Sequence, residues 1–321
     1  MPTGPDNNPH TPDRPAGTEP HGGQSRIVVA GGGGFIGRAL GMRLVASGHE
    51  VVVLTRGSSG PSGDPGPRRV HWDPLTRGPW TREIDGAAAV VNLVGESIAG
   101  LWTPSKRRRI IESRVVAGAA LADAIRDTAA CPVLIQASAV GFYGDRGDEE
   151  LDEGSSKGEG FLPDVTEAWE ASTVAVGERG VRRVVLRMGV VLGPGGFLPR
   201  ATLPFRVFVG GRLGSGRQWL PWVHRDDVVH AIEFLLRREY LEGVFNVVAP
   251  KAVTNGEFTA ALAARLGRPA LFSVPAPVLR LGGAMAKELL LVSQRVFPRR
   301  LVQAGFTFHY SNIRIALSSL M

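Results

Sequence analysis

The stretch "VVAGGGGFIGRAL", Val28 to Leu40, places four consecutive glycines, Gly31 to Gly34, between two apolar segments. The run Ile27 to Ala30 before them reads as a strand covered on both faces. Phe35 to Ser47 after them reads as a helix with Ile36, Leu40, Leu44 and Val45 on one stripe, stopped by Gly48. Within that strand–turn–helix context Gly31-x-x-Gly34-x-x-Gly37 is a dinucleotide fingerprint. One glycine allows the tight turn, one admits a pyrophosphate, and one lets helix pack on strand. The helix N-terminus then offers free N–H groups and positive dipole charge to the phosphates.

The pattern continues outward from this unit. Val51 to Leu54, Val70 to Trp72, Ala87 to Val94, Val133 to Ala137 and Val184 to Arg187 read as further strands. Helices are expected over Pro104 to Ala130 and near Val165 to Arg179. This alternation predicts an α/β fold, a Rossmann-type doubly wound parallel sheet. Beyond Gly193 the regularity fails, and Val244 to Val248 is a last apparent strand. The expected organisation is a Pro/Gly-rich disordered tail (1–24), a nucleotide-binding Rossmann domain (25–194) and a small C-terminal substrate-binding lobe (195–321). The tail holds six prolines and four glycines and too little apolar surface to offset its ordering entropy.

The end of the second strand should read the cofactor ribose. An acidic residue there would favour NAD(H); the chain has Leu54-Thr55-Arg56-Gly57. The guanidinium of Arg56 suits a 2′-phosphate, so NADP(H) is preferred over NAD(H).

Composition narrows the rest. The net charge is +7, with 33 arginines and 4 lysines. The one basic run, Lys106-Arg107-Arg108-Arg109, lacks interleaved aromatics and reads as a solvated helix face, so no nucleic-acid partner is expected. No apolar run approaches the roughly 20 residues that span a bilayer, and no membrane partner is expected. A single cysteine, Cys131, makes a reducing cytoplasm the default compartment. That cysteine and the seven histidines show no metal-ligand spacing. The expected partner is a small-molecule substrate, with a homodimer left open.

Further segments carry a family likeness: "VNLVGESIAG" (91–100), "SRVVAG" (113–118), "ASAVGFYGDRGDE" (137–149), "LRMGVVLGPGG" (186–196), "GGRLGSGRQWLPWVHRDD" (210–227) and "FNVVAPKAVTNGEF" (245–258). With Gly31-x-x-Gly34-Phe35-Ile36-Gly37, they make the chain resemble extended short-chain dehydrogenases/reductases, in the poorly characterised epimerase-family branch. The resemblance implies that Gly31, Gly34, Phe35, Ile36 and Gly37 carry the phosphate turn, and that Thr55 and Arg56 meet the adenosine ribose. It places Asp73 near the adenine, with a turn-capping role as the alternative. It sets Leu93, Val94 and Gly95 under the nicotinamide-side ribose. Arg114 stands where many relatives face the cofactor with an asparagine, and is either a phosphate or substrate-carboxylate contact or half of a structural ion pair.

The pattern breaks at the reaction centre. Hydride-transferring relatives use Tyr-x-x-x-Lys, whose lysine lowers the tyrosine pKa. Here Tyr143, Tyr240 and Tyr310 are followed four residues on by Gly147, Val244 and Arg314. Ser138 stays as the hydroxyl that would hold the substrate oxygen, and Tyr143 as a replacement acid at the mouth of the cleft. Glu96, Lys157 and His224 are weaker candidates. Trp219 and Trp222 are expected to pack the lobe. Two functions remain open: an NADP(H)-dependent oxidoreductase acting on a small carbonyl or alcohol, or a catalytically silent NADP(H)-binding regulatory or cell-division-associated protein.

Overall fold

Seven parallel strands order the molecule, in a computed structural model that describes residues 25–57 and 66–321. They are β1 (Arg26–Ala30), β2 (Glu50–Thr55), β3 (Arg68–His71), β4 (Ala89–Asn92), β5 (Val133–Ala139), β6 (Arg182–Met188) and β7 (Gly243–Val247). Their spatial order is β7-β6-β5-β4-β1-β2-β3, so the winding reverses between β1 and β4. In such sheets the ligand crevice lies beyond the strand C-termini at that point of reversal. The tail assigned to residues 1–24 lies outside the described residues.

Burial on both faces explains why the strands read as continuous apolar runs. One face, with Val29, Val53, Val91, Ile135, Leu186 and Phe245, packs on α1 (Phe35–Ala46) and α4 (Arg225–Leu236). The other, with Val28, Leu54, Val90 and Leu134, packs on α2 (Pro104–Arg126). Each fully buried Val or Leu in these layers contributes about 1.5–3 kcal/mol. Thr103 caps α2 by accepting from the Lys106 N–H, with Pro104 in the first turn. The expected helix near Val165 is α3 (Phe161–Ala171), followed by a separate 3₁₀ turn over Val174–Arg179.

The expected boundary at 194/195 does not separate the sheet from the C-terminal part of the chain. Residues 225–247 return to it, α4 covering one face and β7 adding the seventh strand beside β6. A strand with both faces buried needs that sheet, which the lobe cannot supply. The lobe core is built by Leu192, Leu198, Phe205, Trp222, α5 (Asn255–Leu266) and α6 (Ile313–Leu320). No helix among the described residues is long and apolar enough to cross a membrane.

Candidate functional site

At the end of β1 the chain turns through Gly31, whose φ is +79°. A Cβ there would stand 2.8 Å from the Leu93 carbonyl carbon, just past β4. At Gly32 it would stand 2.6 Å from Val53 Cγ2, and at Gly37 2.5 Å from the Gly31 oxygen. The backbone therefore packs closer than any side chain permits. Gly34 is the N-cap of α1 and binds the Gly31 oxygen through its N–H at 3.0 Å, while Gly33 faces open space. No side chain caps α1, and its first turn holds no acidic residue. Its N-terminal donors and positive dipole end are left for a ligand. Arg38 Nε braces the turn by donating to the Gly33 carbonyl at 2.7 Å.

Phe35 lies under a second glycine turn that sequence reasoning did not assign to the site. Gly193 and Gly195 press on its ring so closely that added Cβ atoms would stand 2.4 and 2.8 Å from ring carbons. The Arg225 guanidinium lies 5.7 Å from the same ring. The available signal was the glycine run Gly193-x-Gly195-Gly196 after a strand.

The cofactor-side candidates fall around this cradle. Thr55 Oγ1 accepts from the Gly57 N–H at 3.2 Å, and Arg56 beside it is exposed. Val94 N–H donates to Asn92 Oδ1. Gly95 lies against the Arg114 guanidinium, where a Cβ would stand 3.1 Å from Cζ. Arg114 makes no carboxylate pair; it donates to the Glu96 and Ile110 carbonyls and sits 4.8 Å from the Trp169 ring. Burial pulls its pKa down to about 10, so it remains charged at neutral pH. Asp73 caps its own turn, accepting from Leu75 N–H at 3.0 Å and from Thr76 Oγ1. That is the turn-capping alternative, and it accounts for the residue without an adenine.

The expected catalytic pair is not displayed in a cleft. Side chains alternate along β5, and Ser138 shares the face of Leu134 and Gln136. It is 1% exposed, and its Oγ donates to Glu170 Oε1 of α3 at 2.6 Å. The strand register sets Ser138 opposite Arg187 and Arg187 opposite Asn246. Arg187 grips Glu170 through Nε and Nη2 at 2.8 and 2.9 Å and donates to the Tyr143 hydroxyl. Tyr143 is fully buried, not at a cleft mouth, because its hydroxyl donates to Asn246 Oδ1 at 2.7 Å. Burial pushes that hydroxyl's pKa up, against the pull of Arg187. An acid–base tyrosine needs the opposite shift.

The weaker candidates are also engaged. Glu96 pairs with Lys106 at 2.7 Å, and that bond, with Arg109 and Arg56 farther off, holds its carboxyl below the usual range. Lys157 bridges Asp164 and Glu167. His224 is buried, stacked on Tyr310, and accepts from Asp226 N–H as the cap of α4. Trp222 packs the lobe core as expected, and Trp219 donates to Asp148. Arg107, Arg108 and Arg109 lie exposed along α2.

A family model described as the NAD dependent epimerase/dehydratase family matches residues 27–247. The chain belongs to this family. A second model, a domain of unknown function (DUF1731), matches residues 274–320. An epimerase family protein of Mycobacterium bovis is 38% identical over 294 residues, covering 91% of this chain and 96% of its own. The mouse epimerase family protein SDR39U1 is 37% identical over 92% of this chain and 99% of its own. The crystal structure of human SDR39U1 (isoform 2) with NADPH superposes with a TM-score of 0.82 at 34% identity, covering 92% of this chain and 98% of that one. A dTDP-glucose 4,6-dehydratase of Streptomyces venezuelae, at 20% identity and a TM-score of 0.75, shares the fold.

Proposed function

We propose that this family member binds NADP(H) at the β1–α1 turn and is an NADP(H)-dependent oxidoreductase for a small carbonyl or alcohol. The observation that carries the reading is the cradle itself. Backbone at Gly31 and Gly37, and the Val53 side chain at Gly32, leave no room for side chains, before a helix end with no side-chain cap among the described residues. A pyrophosphate supplies the acceptors and negative charge such an end lacks. Arg56 supplies a fixed cation at the end of β2, where a 2′-phosphate would lie, and the human relative's structure with NADPH supports the same choice.

When bound, the dinucleotide supplies a hydride donor or acceptor. The chain's own groups position it. Leu93, Val94 and Gly95 close the floor beside β4, and Arg114 holds a positive charge against Gly95. That cation is the group on this side able to polarise a substrate oxygen or pair with a carboxylate. Ser138 and Tyr143 are held in buried hydrogen bonds to Glu170 and Asn246.

A second reading, cofactor binding without turnover, is favoured by the engagement of both Ser138 and Tyr143 in buried hydrogen bonds. Calorimetric titration with NADPH and NADH, on the natural chain and Arg56→Glu, tests the cofactor site. NADPH preference erased by the charge reversal is expected, and failure of both dinucleotides to bind would sink both readings. NADPH consumption over a carbonyl panel, repeated with Arg114→Met, separates the two. Turnover that Arg114→Met lowers supports the oxidoreductase, whereas tight binding with no turnover selects the silent protein.

A further inference from the structure

Asp227 and His230 stand one turn apart on α4, so they leave the same face of the helix. The chain returns to that face just before α6 and sets His309 beside them. The His230 and His309 rings meet edge-on with centroids 4.5 Å apart. Asp227 is fully buried, and no ion pair neutralises it among the described residues. Its two oxygens accept the His309 and Tyr310 N–H groups at 2.9 and 3.0 Å, and each keeps a further lone pair. His230 Nδ1 is sealed from solvent and has no hydrogen-bond partner among the described residues. One ligand atom from each of the three side chains lies within 4.8 Å of the others.

We propose that Asp227, His230 and His309 form a zinc site that clasps the C-terminal segment to α4. Two imidazoles and a carboxylate are a zinc ligand set, and a water would complete the tetrahedron. The set is too rich in nitrogen for magnesium or calcium, which take oxygen ligands. Tetrahedral zinc with bonds of about 2.0–2.1 Å brings its ligand atoms to roughly 3.4 Å from one another. His309 is exposed and free to close that difference by turning its ring. The metal would give the buried Asp227 carboxylate a cation and the orphan His230 nitrogen a partner, removing two costs of burial together. No local spacing announces this site, because Asp227 and His230 meet their third ligand only through the fold.

The test is zinc titration of the chelator-stripped full chain by calorimetry, with thermal melts and the visible spectrum of the cobalt form. One zinc per chain is expected at this site, with micromolar or tighter affinity, raised Tm and tetrahedral cobalt bands. His309→Ala changes an exposed side chain and keeps the His309 N–H bond to Asp227; it should weaken zinc at least tenfold and abolish the zinc-dependent rise in Tm. His309→Cys should keep the metal and add a thiolate-to-cobalt charge-transfer band. His49→Ala, whose ring bonds Ser25 and is not one of the three ligands, should change nothing. Zinc affinity unchanged by His309→Ala, or no uptake by the folded chain, would overturn the proposal. If His230→Ala fails to fold, the His309 variants decide the matter alone.

Discussion

The turn after β1 and the end of β5 lie at the same edge of the sheet, yet they treat polar groups in opposite ways. At the turn, glycines strip away side chains and leave helix donors without internal partners. At β5, Ser138, Glu170, Arg187, Tyr143 and Asn246 satisfy one another across three adjacent strands. The first region is incomplete without a ligand. The second is complete without one. Unmet donors mark a place to bind, while a closed network in low dielectric marks a place that holds its neighbours in position.

The largest effect should come from breaking the closed network. Arg187→Met strands a buried Glu170 carboxylate and should cost about 3–5 kcal/mol in chemical denaturation. NADPH affinity should change little; if it vanished in a variant still folded, the two regions would not be separable. Removing the carboxylate too, in Glu170→Gln/Arg187→Met, should recover part of the loss.

Next comes Gly31→Val. A β-branched residue at φ +79°, against the Leu93 carbonyl, should cost on the order of 2–3 kcal/mol and reduce NADPH affinity beyond calorimetric detection. Retained binding would show that the cradle is not the site. Arg56→Glu should be smaller. It removes a charge-assisted contact of about 1.5–3 kcal/mol, roughly tenfold to a hundredfold in NADPH affinity, and leaves NADH nearly unchanged. Last are Ser138→Ala and Tyr143→Phe, each expected to cost about 1–2 kcal/mol in stability. If either abolished turnover while the fold and cofactor affinity held, the β5 region would be catalytic and the contrast would fail.

The fold was legible because most strands are apolar runs and the covering helices carry an apolar stripe. Those patterns are local and arise from burial on two faces. The glycine turn was legible for the same reason, since its glycines sit together in sequence. The roles of Ser138 and Tyr143 were not. In "VLIQASA" polar and apolar residues alike are buried, so nothing local shows which face Ser138 takes. Its partner Glu170 lies on another element, and the register that sets Arg187 beside it is a property of the sheet. Arg114 was legible as a position, but its reliance on backbone carbonyls instead of a carboxylate was not. The returning residues 225–247 escaped because a strand's sheet is chosen by distant partners.

Phe35 lies in α1, and the glycine loop that seats on its ring follows six of the seven sheet strands in chain order. A growing chain can therefore form the glycine turn early and still present the Phe35 ring bare. A dinucleotide bound at this turn would reward only the finished molecule, by favouring chains whose late segments have come home.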